Sequence, residues 1–216
     1  MRIGILGSGL IGGKLGTLFA RAGHEVVFSY ARSERKLKRL AREAAKNASA
    51  GTPADAARGA DALLLAVHWS RVDDVPKQAG SVAGKVIVTC SLPMSLDDTG
   101  LAIARTDSGA EALARKVPRA GVVAAFGTVP SEVLYRVFAN RHRAARPSLI
   151  YYGDHAGAKK VAARLIRDLG FDPVDAGPLR IGRYAEPFTL LIAQLAYEGN
   201  RGPELAYRLE WPRRKR

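Results

Sequence analysis

The sequence predicts an α/β protein of the Rossmann type, a doubly wound, mainly parallel sheet with a helical element at its C-terminal end. Three observations carry this. Short apolar runs alternate with helical stretches along the chain, as in a sheet covered by helices on both faces. The runs are apolar on both sides, which suits doubly covered parallel strands. The first run leads at once into Gly7-Ser8-Gly9-Leu10-Ile11-Gly12, a glycine-rich turn that opens a helix. The 216 residues, 47% hydrophobic, suffice for one sizeable core.

Strands are expected at residues 2–6, 25–29, 62–67, 85–89, 121–125, 149–152 and 172–175, in a sheet of about six to eight strands. Helices are expected at 11–21, 33–45, 53–58, 72–79, 108–116, 131–140 and 156–169. Their ends have local causes: Thr52 before Pro53 is an N-cap followed by proline in the first turn, and Gly23 and Gly170 stand where helices stop. Ala158, Val161, Ala162, Leu165 and Leu169 share one helix face that should pack on the sheet. The turn residues Ala176-Gly177-Pro178 divide residues 1–176, a nucleotide-binding domain, from residues 177–216, a C-terminal helix and basic tail. The stretch from Phe188 to Tyr197 is apolar on more than one face, so it is expected to pack against a second copy in a homodimer.

Composition narrows the classes. One cysteine, Cys90, excludes an internal disulfide and suits a reducing compartment; it reads as a small buried hydrophobe. The N-terminus enters a strand without signal-peptide features, and the 188–197 run is short of the roughly 20 residues that span a bilayer. A cytoplasmic protein without membrane contact is expected. The net charge of +14 and pI near 10.3 raise nucleic acid as a partner. The excess gathers in residues 32–46 and 213–216, without a nucleic-acid motif or interleaved aromatics, and reads as solvated faces with local anion contacts. His24, Cys90 and His155 lack metal-ligand spacing, so no metal is expected.

The glycine turn carries the chemistry. Gly7 permits the tight turn, Gly9 lets backbone approach a pyrophosphate, and Gly12 allows close packing of helix on strand, with Ser8, Leu10 and Ile11 completing the loop. The N–H groups at the helix start then hold the negative charge. About 20 residues further on, NAD sites place a carboxylate for the ribose hydroxyl. Here the segment is Ser29-Tyr30-Ala31-Arg32-Ser33, with no acid. Arg32 is suited to the 2′-phosphate of NADP, Lys36 adds charge one turn later, and Ser33 can donate or cap.

Beyond this loop the chain resembles the NADPH-dependent coenzyme F420 reductase family over nearly its whole length. The resemblance rests on residues 2–7 with 22–26, on 60–67 closing on His68-Trp69, on 108–111, on Ala125-Phe126-Gly127-Thr128-Val129 and on the run from Gly170 to Leu179. It implies NADP(H) as cofactor and hydride exchange with a deazaflavin (F420) or flavin-like co-substrate. Val67, His68, Ser91 and Phe126 then join Tyr30 in holding the cofactor, and His68, Trp69, Pro93, Gly127, Thr128 and Pro130 become candidates for the acceptor side.

Two departures stand at that side: Gly127 replaces the asparagine of relatives, and Cys90-Ser91-Leu92-Pro93 replaces Thr-Asn-Pro. No catalytic residue is assigned. Hydride transfer between two rings needs stacking, orientation and water exclusion more than an acid–base pair. An NADPH reductase of another small molecule, or a non-catalytic NADPH sensor whose basic tail binds a partner, are the alternatives.

Overall fold

The computed structural model describes residues 1–31 and 33–212; Arg32 and residues 213–216 lie outside the described residues. Among the described residues there are eight strands: β1 (Arg2–Leu6), β2 (Glu25–Ser29), β3 (Ala48–Ala50), β4 (Ala62–Leu65), β5 (Val86–Thr89), β6 (Gly121–Ala124), β7 (Ser148–Gly153) and β8 (Asp172–Asp175). They form one sheet in the order β3-β2-β1-β4-β5-β6-β7-β8, in which the order doubles back at β1 and β4. The helices are α1 (Leu10–Arg21), α2 (Glu34–Ala44), α3 (Pro53–Ala57), α4 (Asp74–Gln78), α5 (Gly109–Lys116), α6 (Val133–Ala139), α7 (Ala156–Asp168) and α8 (Gly182–Ala193), the last running into a π-helical turn, Gln194–Glu198.

Burial on both faces explains the apolar strands. Ile3, Ile5, Val26, Phe28, Leu64 and Val123 point to one face and meet Leu15, Leu18 and Phe19 of α1, with α2, α6 and α7 completing that layer. Leu6, Val27, Leu63, Leu65, Ile87 and Val122 point to the other, under α3, α4, α5 and α8. Register follows: Ile3 stands between Val26 and Ala62. Thr52 and Asp55 form a full capping box at the start of α3, which lets so short a helix hold its place.

Two features depart from the sequence reading. β3 is an additional strand; Ala48-Ser49-Ala50 has no apolar run to announce it and pairs because it lies beside Val26 to Phe28. β7 runs antiparallel to β6, with Ala124 opposite Tyr152, so β7 and β8 oppose the first six strands. The reason is α6. It packs against α1 instead of crossing the sheet, so the chain re-enters beside the end it left.

The described part of the C-terminal tail also returns to this chain. Ser148 N–H donates to the Tyr207 carbonyl at 2.8 Å, Leu209 N–H donates to Ser148 Oγ at 2.9 Å, and the Tyr207 ring meets Phe188 edge-on at 5.5 Å. Among the described residues no helix is long and apolar enough to cross a membrane.

Phe19 is fully buried and meets the rings of Phe126 and His24 at 5.9 and 6.0 Å. Phe19→Ala should cost about 3–5 kcal/mol of unfolding free energy, read from urea denaturation; a loss under about 1 kcal/mol would contradict the packing described.

Candidate active site

The glycine turn builds a groove at the end of β1. Gly7 has φ +111°, and a Cβ there would strike the Ala66 carbonyl, so only glycine makes the turn. A Cβ on Gly12 would strike the carbonyl of Gly7, so the first turn of α1 sits directly on the strand end. A Cβ on Gly9 would meet nothing within 4 Å; that space faces the groove. No side chain caps α1 and no acid stands in its first turn, so the positive end of the helix is open. The groove holds about 450 Å³ and is lined by Gly7, Ser8, Gly9, Leu10, Tyr30, Ala31, Lys36, Val67, His68 and Arg71, together with Ala66. Ser8 contributes backbone alone, because its buried hydroxyl donates to the Ser29 carbonyl at 2.8 Å. Ile11 is half-buried and packs on the core.

Charge enters from two sides. Ser33 caps α2 by accepting from the Lys36 N–H at 3.3 Å, which sets Lys36 at the groove wall. Arg32, the expected 2′-phosphate ligand, lies outside the described residues. Arg71, which sequence reasoning missed, reaches the same groove from the turn Trp69–Arg71, its nearest acid being Asp74 at 3.8 Å. No motif marks Arg71; only the fold brings it to the groove that Lys36 lines. Tyr30 has φ +54°, a left-handed backbone rare outside glycine, and its hydroxyl donates to Asp74 at 3.4 Å. Across Tyr30 and Ala31 lies a second hollow of about 520 Å³, lined by apolar Leu37, Ala50 and Pro53 and by polar Glu34, Lys38 and Asp55 among others.

The remaining candidates scatter. His68 lines the groove, but both ring nitrogens are engaged. Nδ1 meets Ser70, its N–H at 3.2 Å and its Oγ at 2.8 Å, and Nε2 stands 3.2 Å from Asp98 Oδ1. Trp69 does not wall the groove: it packs against the α5 layer and borders a separate hollow with Ile103 and Lys116. Pro93 rests over Gly109 and Pro130 is buried at the entry to α6, and neither borders the groove. Phe126, at φ +64°, sends its ring into the core against Phe19 and bends the chain so that Gly127 and Thr128 follow at the end of β6. Thr128 is buried, its Oγ1 accepting from the Tyr207 hydroxyl at 2.8 Å.

Ser91 borders one space and bonds a wall residue of the other. Its hydroxyl accepts from the N–H of Val67, a groove residue, at 3.2 Å, and it also borders a small void of about 20 Å³ with Cys90, Gly127, Thr128, Tyr152, Glu186 and Thr189 among its walls. Glu186 is the acid that sequence reasoning did not single out. Only 5% exposed, it accepts from the N–H groups of Gly109 at 2.8 Å and Ala110 at 3.0 Å, capping α5 from α8. Burial pushes its carboxyl up to about 7 against the pull of those two N–H bonds, with Glu111 and Asp107 adding upward pressure. Arg183, one turn earlier, binds Glu111 through two bonds of 2.9 and 2.7 Å, so α8 grips α5 twice. Among the described residues no cluster of His, Cys, Asp or Glu could hold a metal.

Comparisons with known proteins agree with this architecture. Residues 2–93 match the family described as NADP oxidoreductase, coenzyme F420-dependent, and the chain resembles that family. It is 28% identical over 189 residues to Metalloreductase STEAP3 of Rattus norvegicus, a match that takes in 88% of this chain and 36% of the relative, so the chain spans about a third of that protein's length. Among solved structures, a candidate F420-dependent NADP reductase from Arthrobacter sp. FB24 superposes with a TM-score of 0.85 at 24% identity, covering 98% of this chain and 100% of its own. Hypothetical protein SMa0349 from Sinorhizobium meliloti gives 0.72 at 26% identity, covering 97% and 96%.

Glu186 ties stability to pH. Below its ordinary value of 4.5 the carboxyl is protonated in the folded and the unfolded chain alike; between 4.5 and about 7 only the unfolded chain releases the proton, so stability falls as pH rises. The loss approaches roughly 3 kcal/mol above pH 7. Glu186→Gln should therefore gain on the parent between pH 5 and pH 8 in urea unfolding; an unchanging difference would mean the carboxyl titrates normally.

Proposed function

We propose that this chain is an NADP(H)-dependent oxidoreductase that exchanges hydride with a deazaflavin (F420) or flavin-like acceptor. The observation that carries the reading is the groove: an uncapped helix start, open space over Gly9, and two cations, Lys36 and Arg71, among its walls. These fit a dinucleotide bearing an additional phosphate. Gly9, Leu10 and the first N–H groups of α1 would receive the pyrophosphate, while Lys36 and Arg71, with Arg32 between Ala31 and Ser33 in sequence, would receive the 2′-phosphate. Bound NADPH supplies the hydride. Val67, His68 and Ser91 would orient the nicotinamide end, and Gly127 and Thr128 would border the acceptor.

In this reading residues 1–176 hold the cofactor and residues 177–216 complete the acceptor side. The exposed Tyr184, Leu191 and Leu195 on α8 and the turn after it support contact with a second copy. The likeness to a metalloreductase favours a second reading, in which electrons pass onward to a metal ion as substrate. A panel of F420, FMN, FAD and a ferric chelate, each mixed with NADPH and the purified protein, separates the two. The proposal fails if none is reduced.

Cofactor choice follows from charge. A guanidinium contact to the phosphate contributes roughly 1.5–3 kcal/mol, or about ten- to a hundred-fold in affinity. Arg32→Ala should weaken NADPH by that factor and leave NADH nearly unchanged, as measured by calorimetry at fixed ionic strength. Equal losses for both nucleotides would remove Arg32 from the phosphate site. In the same assay Gly9→Ala should fold like the parent, because its methyl meets no protein atom, yet bind both nucleotides more weakly.

A further inference from the structure

We propose that Glu186 holds the proton that accompanies the hydride, and that it passes this proton to the bound acceptor through a single water in the void beside Gly127. This rests on the hydride-transfer reading.

The geometry supplies each part. Glu186 is a buried carboxyl on the wall of a void of about 20 Å³, whose other walls include Ser91, Gly127, Thr128, Tyr152 and Thr189. That volume admits one water; among the wall residues Ser91 and Thr189 donate to the Leu65 and Ala185 carbonyls and so can only accept from it, Thr128 accepts from Tyr207 and can donate, and Tyr152 and the Glu186 carboxyl add further polar groups. The void lies one hydrogen bond from the groove: the hydroxyl of Ser91, on the void's wall, accepts from the N–H of Val67, on the groove's wall, at 3.2 Å. The absence of a side chain at Gly127 keeps it open: a Cβ there would meet only Thr189 Oγ1, at 4.0 Å. An acid used solely to cap α5 has no need of such a space beside it.

Reduction of a conjugated ring acceptor adds one hydride, carrying both electrons, and one proton. The hydride forms the new C–H bond. The Glu186 O–H bond breaks as the water takes its proton, the water passes a proton to the electron-rich heteroatom of the acceptor, and the Glu186 carboxylate regains a proton from solvent.

The surroundings favour the protonated form near neutral pH. Glu111 and Asp107, on and before α5, and Tyr152 of β7 face Glu186 with negative or ionisable oxygen; Arg183, the cation on its own helix, is occupied by Glu111. The N–H groups of Gly109 and Ala110 oppose this and keep the carboxyl able to release its proton.

The test is single-turnover reduction of F420 and of FMN by the NADPH complex from pH 6 to 9, in H₂O and D₂O, with infrared detection of the protonated-carboxyl band. The parent should slow as pH rises through neutrality, show a solvent isotope effect, and lose a carboxyl band over the same range. Glu186→Gln should be at least ten-fold slower at pH 6.5, flat with pH and without the band. Gly127→Asn should fill the void, slow turnover similarly and retain the band, with NADPH affinity within a few-fold of the parent.

The proposal is overturned if Glu186→Gln keeps the parent's pH profile and isotope effect while only the acceptor KM changes, which is the mark of a purely structural cap. It is overturned equally if the parent lacks a carboxyl band that titrates near neutrality. Should Glu186→Gln fail to fold, Gly127→Asn decides, and an unchanged rate there overturns the path. If no protein reduces either acceptor, the oxidoreductase reading falls and the band alone decides whether Glu186 is a proton-holding site.

Discussion

The rest of the molecule depends on the contact between the carbonyl of Gly7 and the α-carbon of Gly12. That contact lets α1 start directly on the end of β1, and it leaves the first helical N–H groups facing outward with no side chain to claim them. Everything charged in the groove is arranged around this opening. Lys36 is held by the Ser33 cap, and Arg71 comes from the turn that follows β4. A side chain at either glycine would separate helix and strand and close the opening before any ligand arrived.

The acceptor side is organised by a different principle, helix against helix. α8 would be a weakly tethered appendage were it held by apolar area alone, since much of its outer face is exposed. Instead Arg183 and Glu186 reach α5 one turn apart, one as a charged pair and the other as a cap. The cost is a carboxyl with almost no water. Burying such a group with no cationic partner among the described residues opposes stability, and the two N–H bonds from α5 offset only part of that. Tyr207 and Tyr197 extend the same tethering, bonding to Thr128 and Glu132 around the end of β6.

Most of the architecture was legible from local chemistry. Strong apolar periodicity placed seven strands and seven helices within a few residues of where they lie, and Thr52-Pro53 and Gly170 marked their ends for the reasons given. β3 was illegible because Ala48-Ser49-Ala50 becomes a strand by adjacency and not by composition. The reversal at β7 was illegible for a related reason: strand direction depends on where α6 packs, and no residue of α6 encodes that by itself. At the site, the loop glycines were readable because each answers a backbone requirement. Arg71 and Glu186 were not, because both are ordinary residues whose neighbours come from distant segments. Trp69 shows the converse: an aromatic after a strand end that suits a wall of a site and equally suits packing against a neighbouring helix layer, where it lies.

Cys90 gives the closure of the strand ends a practical meaning. The residue is partly exposed, yet its thiol is enclosed, with its Sγ 3.6 Å from the Leu65 carbonyl, and burial pushes it up to about 12. Such a thiol stays un-ionised in neutral solution, the form that alkylating reagents attack least. It is also the chain's single cysteine and borders the void beneath Gly127. The molecule thus carries its own gauge at the place where β4, β5 and β6 converge: a silent label site whose reactivity measures how often that junction breathes.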